Sequence, residues 1–99
     1  MSQTNSSEQP EYKIQIKRED MSDALKEYTI KVCQHAVQSL SGGTEQELAE
    51  YIKLQFDKEH GKHWHVVVGR NFGSFVTHES QKFIHFYIDE LAFVIFKAG

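Results

Sequence analysis

Apolar residues recur along this chain in two rhythms, every second position near its ends and every third or fourth position between them, and the changes of rhythm divide it into elements. Tyr12, Ile14 and Ile16 alternate with Lys13 and Gln15, which predicts a short, half-buried strand over 12–16, suited to a sheet edge. From Met21 the period becomes helical. Leu25, Tyr28, Val32, Ala36 and Leu40 share one face, Asp20 or Ser22 can cap the start, and Gly42-Gly43 ends the run. Thr44-Glu45-Gln46-Glu47 has the form of a capping box, so a second helix starts there. It sets Leu48, Ala49, Ile52 and Phe56 toward the core and stops at Gly61. The strand rhythm returns over 64–68, expected in the core, and over 74–77, with Gly-Arg-Asn-Phe-Gly between. In the second run Ser74, Val76 and His78 fall on one face and Phe75 and Thr77 on the other, a pattern able to recruit another chain. Lys82–Ile88 and Leu91–Lys97 are apolar on both faces and read as a hairpin of central strands joined by Asp89-Glu90. Neither turn residue is glycine, which leaves the turn type open. The fold class is therefore α+β, two helices on a mainly antiparallel sheet in the order β-α-α-β-β-β-β.

Composition adds a second chain to this picture. Ninety-nine residues make one domain, and a chain of this size buries only about 60 to 65% of its unfolded surface. The nearly continuous apolar stretch from Phe83 to Phe96 is more than one small sheet and two helices can hide, and a subunit interface is one remedy. Residues 1–10, rich in Ser, Gln and Asn and holding the one proline, cannot offset the entropy of ordering; they are expected to form a disordered tail, leaving 11–99 as the domain. The net charge is -3 and Lys and Arg are scattered, so nucleic acid and anionic membrane are not expected partners. One cysteine, no apolar run near membrane-spanning length and no signal-peptide pattern point to the cytoplasm. Cys33, next to the helical stripe, reads as a small buried hydrophobe.

Chemistry is poorly provided for. Six histidines are present and His60, His63 and His65 lie close together, but no cysteine or carboxylate at ligand spacing joins them, so no metal is expected. The glycines around Arg70 fit neither phosphate-binding pattern. Ser74 and His78 are the best nucleophile pair available, yet residues four apart on a strand stand roughly 13 Å apart. No catalytic residue, no cofactor and no enzyme activity are expected.

The run WHVVVGRNFGSFVTHE from Trp64 to Glu79, with KFIHFYIDELAFVIFKAG after it, resembles the smallest class of cytoplasmic dynein light chain over 12–99. That resemblance implies a homodimeric, peptide-binding hub of the microtubule motor dynein, in the cytoplasm and on the cytoskeleton. Each subunit lends the strand around 72–77 to its partner's sheet, and that strand's other edge accepts an extended peptide. The implied groove residues are Gly69, Arg70, Asn71, Phe72, Gly73, Ser74, Phe75, Val76, Thr77 and His78, with His85 and Tyr87 from a neighbouring strand. Glu45 and Gln46 open the helix whose free amides meet a glutamine of the peptide. His65, Phe72, Ser74 and Val76 are the implied dimer contacts, with His65 making the dimer acid-sensitive. Implied partners are the dynein intermediate chain and other proteins whose disordered segments carry Thr-Gln-Thr-like motifs. Several positions depart from the family: tyrosine is commoner at Phe75 and His85 and lysine at Gln46, and the inter-helix turn is longer here. In the tail, Ser2-Gln3-Thr4 looks like a truncated form of the partners' motif. A rival reading is an inhibitor that binds a target enzyme directly.

Overall fold

The structure, a computed structural model, describes residues 11–99. The tail over 1–10, with its Ser2-Gln3-Thr4, lies outside the described residues. The elements are β1 (Ile14–Met21), α1 (Asp23–Ser39), α2 (Glu45–His60), β2 (Trp64–Gly69), β3 (Lys82–Ile88) and β4 (Leu91–Lys97). The strands form one antiparallel sheet in the order β1-β3-β4-β2, with the predicted hairpin at its centre. Both helices pack on one face, giving the α+β architecture that the periodicity predicts.

Local chemistry sets the helix ends. Ser22, rather than Asp20, caps α1, its hydroxyl accepting from the Leu25 amide at 3.2 Å. The capping box of α2 is complete: Thr44 Oγ1 accepts from the Glu47 amide at 3.1 Å, and Glu47 Oε1 accepts from the Thr44 amide at 2.9 Å. Gly61, at φ 78°, ends α2 in a conformation that a side chain would resist.

The core lies between helices and sheet. Ile84, Phe86 and Ile88 of β3 and Phe93 and Ile95 of β4 point toward Leu48, Ile52 and Phe56 of α2 and toward Trp64. Phe86 and Phe93 are register partners whose rings stack at 5.3 Å. On α1 the fully buried stripe is Leu25, Thr29, Cys33 and Ala36, one position round from the predicted one, and Tyr28 and Val32 are half-buried on its flank. Thr29 tolerates burial because its hydroxyl donates to the Leu25 carbonyl at 2.8 Å. Ala49, likewise predicted to face the core, is half-buried.

Burial holds the Cys33 thiol far above its ordinary pKa, in the unreactive protonated form. A maleimide reagent is expected to label Cys33 only at the rate of unfolding, so prompt labelling of the native protein at pH 7.5 would contradict this packing.

Asp57 ties α2 to β2. Its carboxylate accepts from Lys53 Nζ at 2.8 Å and from the Trp64 amide at 3.0 Å, while Lys53 Nζ also donates to the Trp64 carbonyl at 2.7 Å. Burial alone would raise the Asp57 pKa, but the bonds from Lys53 and Trp64 prevail and lower it.

β1 is an edge strand, as predicted, but runs to Met21 instead of ending at 16, with a bulge between Ile16 and Arg18. Its polar second half hides the strand from a periodicity reading. At the β3-β4 turn Asp89 adopts φ 53°, its carboxylate accepts from the Lys13 amide at 2.9 Å, and its own amide donates to the Lys13 carbonyl at 2.8 Å. Aspartate tolerates this left-handed conformation, and here the side chain also holds the start of β1. Of the two runs flanking Gly-Arg-Asn-Phe-Gly, the first is β2, which turns Trp64, Val66 and Val68 toward the helices but pairs only with β4 and so lies at the sheet's other edge. The second, over 72–79, joins no ladder among the described residues.

Candidate functional site

The sheet face turned away from α1 and α2 carries apolar and aromatic side chains that no helix among the described residues covers. The pleat brings His65 and Val67 of β2, Val94 and Phe96 of β4, and Phe83, His85 and Tyr87 of β3 to this side. At the free edge Val67 is 41% exposed. His65 is exposed too, its ring stacked on Phe96 at 5.1 Å and its Nε2 donating to the Ala98 carbonyl at 3.2 Å.

The segment over 70–79 lies across part of this face. Phe72 stacks on His85 at 6.1 Å and packs against Gly69, where a Cβ would stand 3.1 Å from its ring. His78 stacks on Phe83 at 4.7 Å. The segment's far end is fastened: the Glu79 amide donates to the Lys97 carbonyl at 2.9 Å, and Gln81 gives its backbone and side-chain amides to Asp20, each at 3.0 Å. Between segment and sheet is a cavity of about 370 Å³, lined by Lys17, Arg18, Phe72, Gly73, Ser74, Phe75, Val76, His78, Phe83 and His85.

Most of the expected groove residues therefore meet at one place. Tyr87 adjoins it, its ring 5.9 Å from that of His85. Arg70 reaches Glu90 at 3.7 Å on the exposed rim, and Asn71 and Thr77 are exposed. Phe75 is 95% exposed, an unusual state for a ring of this size. Glu45 and Gln46 do not join the cavity; they stand exposed at the start of α2, where the capping box leaves their amides as the open donors of the helix end. Because α2 leads back along β2 from the His60 and Trp64 joint, that end lies toward Gly69. Lys17, Arg18 and Phe83 also line the cavity although the sequence reading did not select them. Phe83 shares the strand parity of His85, a legible signal, whereas the bulge that sets Lys17 beside Arg18 left none.

His85 makes this face sensitive to acid. Burial, then the Lys17 and Arg18 charges, hold its pKa below the ordinary value. A neutral ring suits the fold, so His85 costs nothing above the unfolded value of about 6.5 and destabilises progressively as pH falls from there toward its folded pKa. Denaturant midpoints at pH 7.5 and pH 5 should show a smaller acid loss for His85→Tyr than for the parent chain; equal losses would contradict this assignment.

The model of the dynein light chain type 1 family matches this chain over residues 13–98. The chain belongs to that family. Solved structures share the fold: the dynein light chain-like domain of the Fasciola hepatica calcium-binding protein FhCaBP2 superposes with a TM-score of 0.72 at 19% identity, covering 89% of this chain and 93% of that one. The DLC-like domain of CsTAL3 superposes with a TM-score of 0.62 at 20% identity, covering 86% of this chain and 92% of that one. Family and fold together support a light-chain or binding-hub role. For this dynein light chain the described residues leave three surfaces available: an open β2 edge, an apolar outer face, and a segment with strand-forming residues that has no strand partner among them.

Proposed function

We propose that this chain is a non-catalytic, dimeric hub that binds extended partner peptides as added β-strands in two symmetric grooves. The observation that carries the reading is that, among the described residues, those over 72–77 join no ladder and β2 keeps an open edge. A row of unpaired amides and carbonyls on an edge strand is a template for another strand. If the partner's 72–77 segment adds to β2, it lies beside α2, which packs on β2, and near the open amides of Glu45 and Gln46. Residues that one chain keeps apart are thereby joined across two. The outer edge of the added strand is then free for a peptide, whose alternate side chains enter pockets and whose glutamine meets the helix end. Phe72, Ser74, Val76 and His65 become dimer contacts, and Phe75 gains a covering it lacks in the single chain.

Two grooves hold two partner segments in register, so affinity rises by avidity. The family resemblance points to the dynein intermediate chain and to other cytoplasmic proteins with Thr-Gln-Thr-like motifs, and so to a place on the microtubule motor. No helix among the described residues is long and apolar enough to cross a membrane. Titration with a tandem Thr-Gln-Thr peptide against its single-motif form tests the hub. Much tighter binding of the tandem form is expected; equal affinity per motif would favour a one-to-one inhibitor instead.

Thr77 is exposed on the docking segment, where its hydroxyl can meet a peptide side chain. Thr77→Ala should cost about 0.5 to 1.5 kcal/mol of peptide affinity, the worth of one neutral hydrogen bond, with the dimer intact. Calorimetric titration that finds no loss would remove Thr77 from the groove.

A further inference from the structure

Among the described residues four large apolar side chains are exposed: Ile16, Leu54, Val67 and Phe75. Val67 and Phe75 lie on the β2 edge and the exchanging segment that the hub reading uses and Ile16 on the edge strand β1, whereas Leu54, 58% exposed on the solvent side of α2, is the one of the four on a helix. Leu54, half-buried Leu40 and half-buried Tyr51 form the floor of an open depression of about 570 Å³ at the turn end of the helix pair. Glu47, Glu50, Tyr51 and Leu54 follow the i, i+3, i+4, i+7 spacing of a single helix stripe. The longer inter-helix turn closes one side. At Gly43 a Cβ would stand 2.9 Å from both Glu47 Oε1 and the Leu40 carbonyl, so this wall depends on glycine.

The rim is negative. Glu50 has no ion-pair partner among the described residues. α1 ends at the depression with its carbonyl pole and no basic residue in its last turn. An apolar floor under an acidic rim selects a ligand that is apolar and cationic side by side.

We propose that this depression docks a partner segment presenting a leucine-sized apolar side chain next to a lysine or arginine. The apolar side chain covers Leu54 and Leu40, and the cation meets Glu50 and the carbonyl end of α1. The depression is shallow and open to water, which suits a segment lying across it rather than an enclosed small molecule. A second copy of this chain is a poor occupant, since two such rims would set like charges together. The depression is on the helix side and the proposed dimer contacts are on the sheet's outer face, so both surfaces can be used at once.

The test is a titration of the ¹⁵N-labelled full chain with acetyl-Leu-Arg-Leu-Arg-amide, using acetyl-Leu-Glu-Leu-Glu-amide as the charge-reversed control. Saturable shifts are expected at the amides of Leu40, Gly42, Gly43 and Leu54 with the basic peptide and not with the acidic one. Glu50→Lys, at an exposed position where folding is retained, should weaken the basic peptide by about tenfold. Equal shifts from both peptides, no shifts, shifts confined to 72–77, or unchanged affinity in Glu50→Lys would each overturn the proposal.

Discussion

His65→Lys is expected to leave the chain folded but monomeric at pH 7. In one chain this side chain lies exposed on the outer face of the edge strand β2, stacked on Phe96 and bonded to the Ala98 carbonyl, so a lysine there can extend into water. In the proposed dimer that option is removed, because strand addition along β2 and packing of the outer faces would bury a permanent charge. An uncompensated buried charge costs about 3 to 5 kcal/mol, which is a loss of at least about a hundredfold in dimer affinity. Sedimentation should show a monomer whose circular dichroism matches the parent chain, and the advantage of a tandem peptide should vanish with it. A persistent dimer would mean that β2 is not the interface.

Trp64→Ala should have the largest effect on folding. Trp64 is wholly buried, its ring 4.8 Å from that of Phe56 and its Nε1 donating to the His60 carbonyl at 3.4 Å. Its backbone is also where Asp57 and Lys53 join α2 to β2. Truncating a buried aromatic costs about 3 to 5 kcal/mol, a large share of the 5 to 15 kcal/mol that typically holds a domain together. The chain has a single tryptophan, so unfolding must be followed by circular dichroism rather than indole fluorescence. A loss below about 1 kcal/mol would show that the site refills and that Trp64 is not a keystone of this core.

The elements legible in the sequence were those whose signals are local. The capping box at Thr44, the Gly61 stop and the apolar hairpin each follow from a few adjacent residues, and each is present in the fold. What escaped depends on contacts distant in sequence. The α1 stripe rotated onto Thr29 and Cys33 because a bond from Thr29 to its own helix backbone makes a polar residue fit for burial, which hydrophobic periodicity does not count. The second half of β1 reads as polar because an edge strand is only partly buried, and its bulge leaves no mark in the pattern. At the site, the alternation of Ser74, Val76 and His78 was visible, as was the alternation of His85 with Tyr87. The separation of Glu45 and Gln46 from the 72–77 segment in one chain was not, because periodicity within a chain says nothing about which residues a second chain must bring together.

Exchange of the 72–77 segment is tested most directly by isotope-filtered NOE measurement on a dimer made from equal parts ¹³C,¹⁵N-labelled and unlabelled chain. Exchange predicts intermolecular cross-strand NOEs between backbone protons of 74–77 in one subunit and 65–68 in the other. It is contradicted if residues 74–77 show NOEs only to Phe83 and His85 of their own chain while the protein sediments as a dimer.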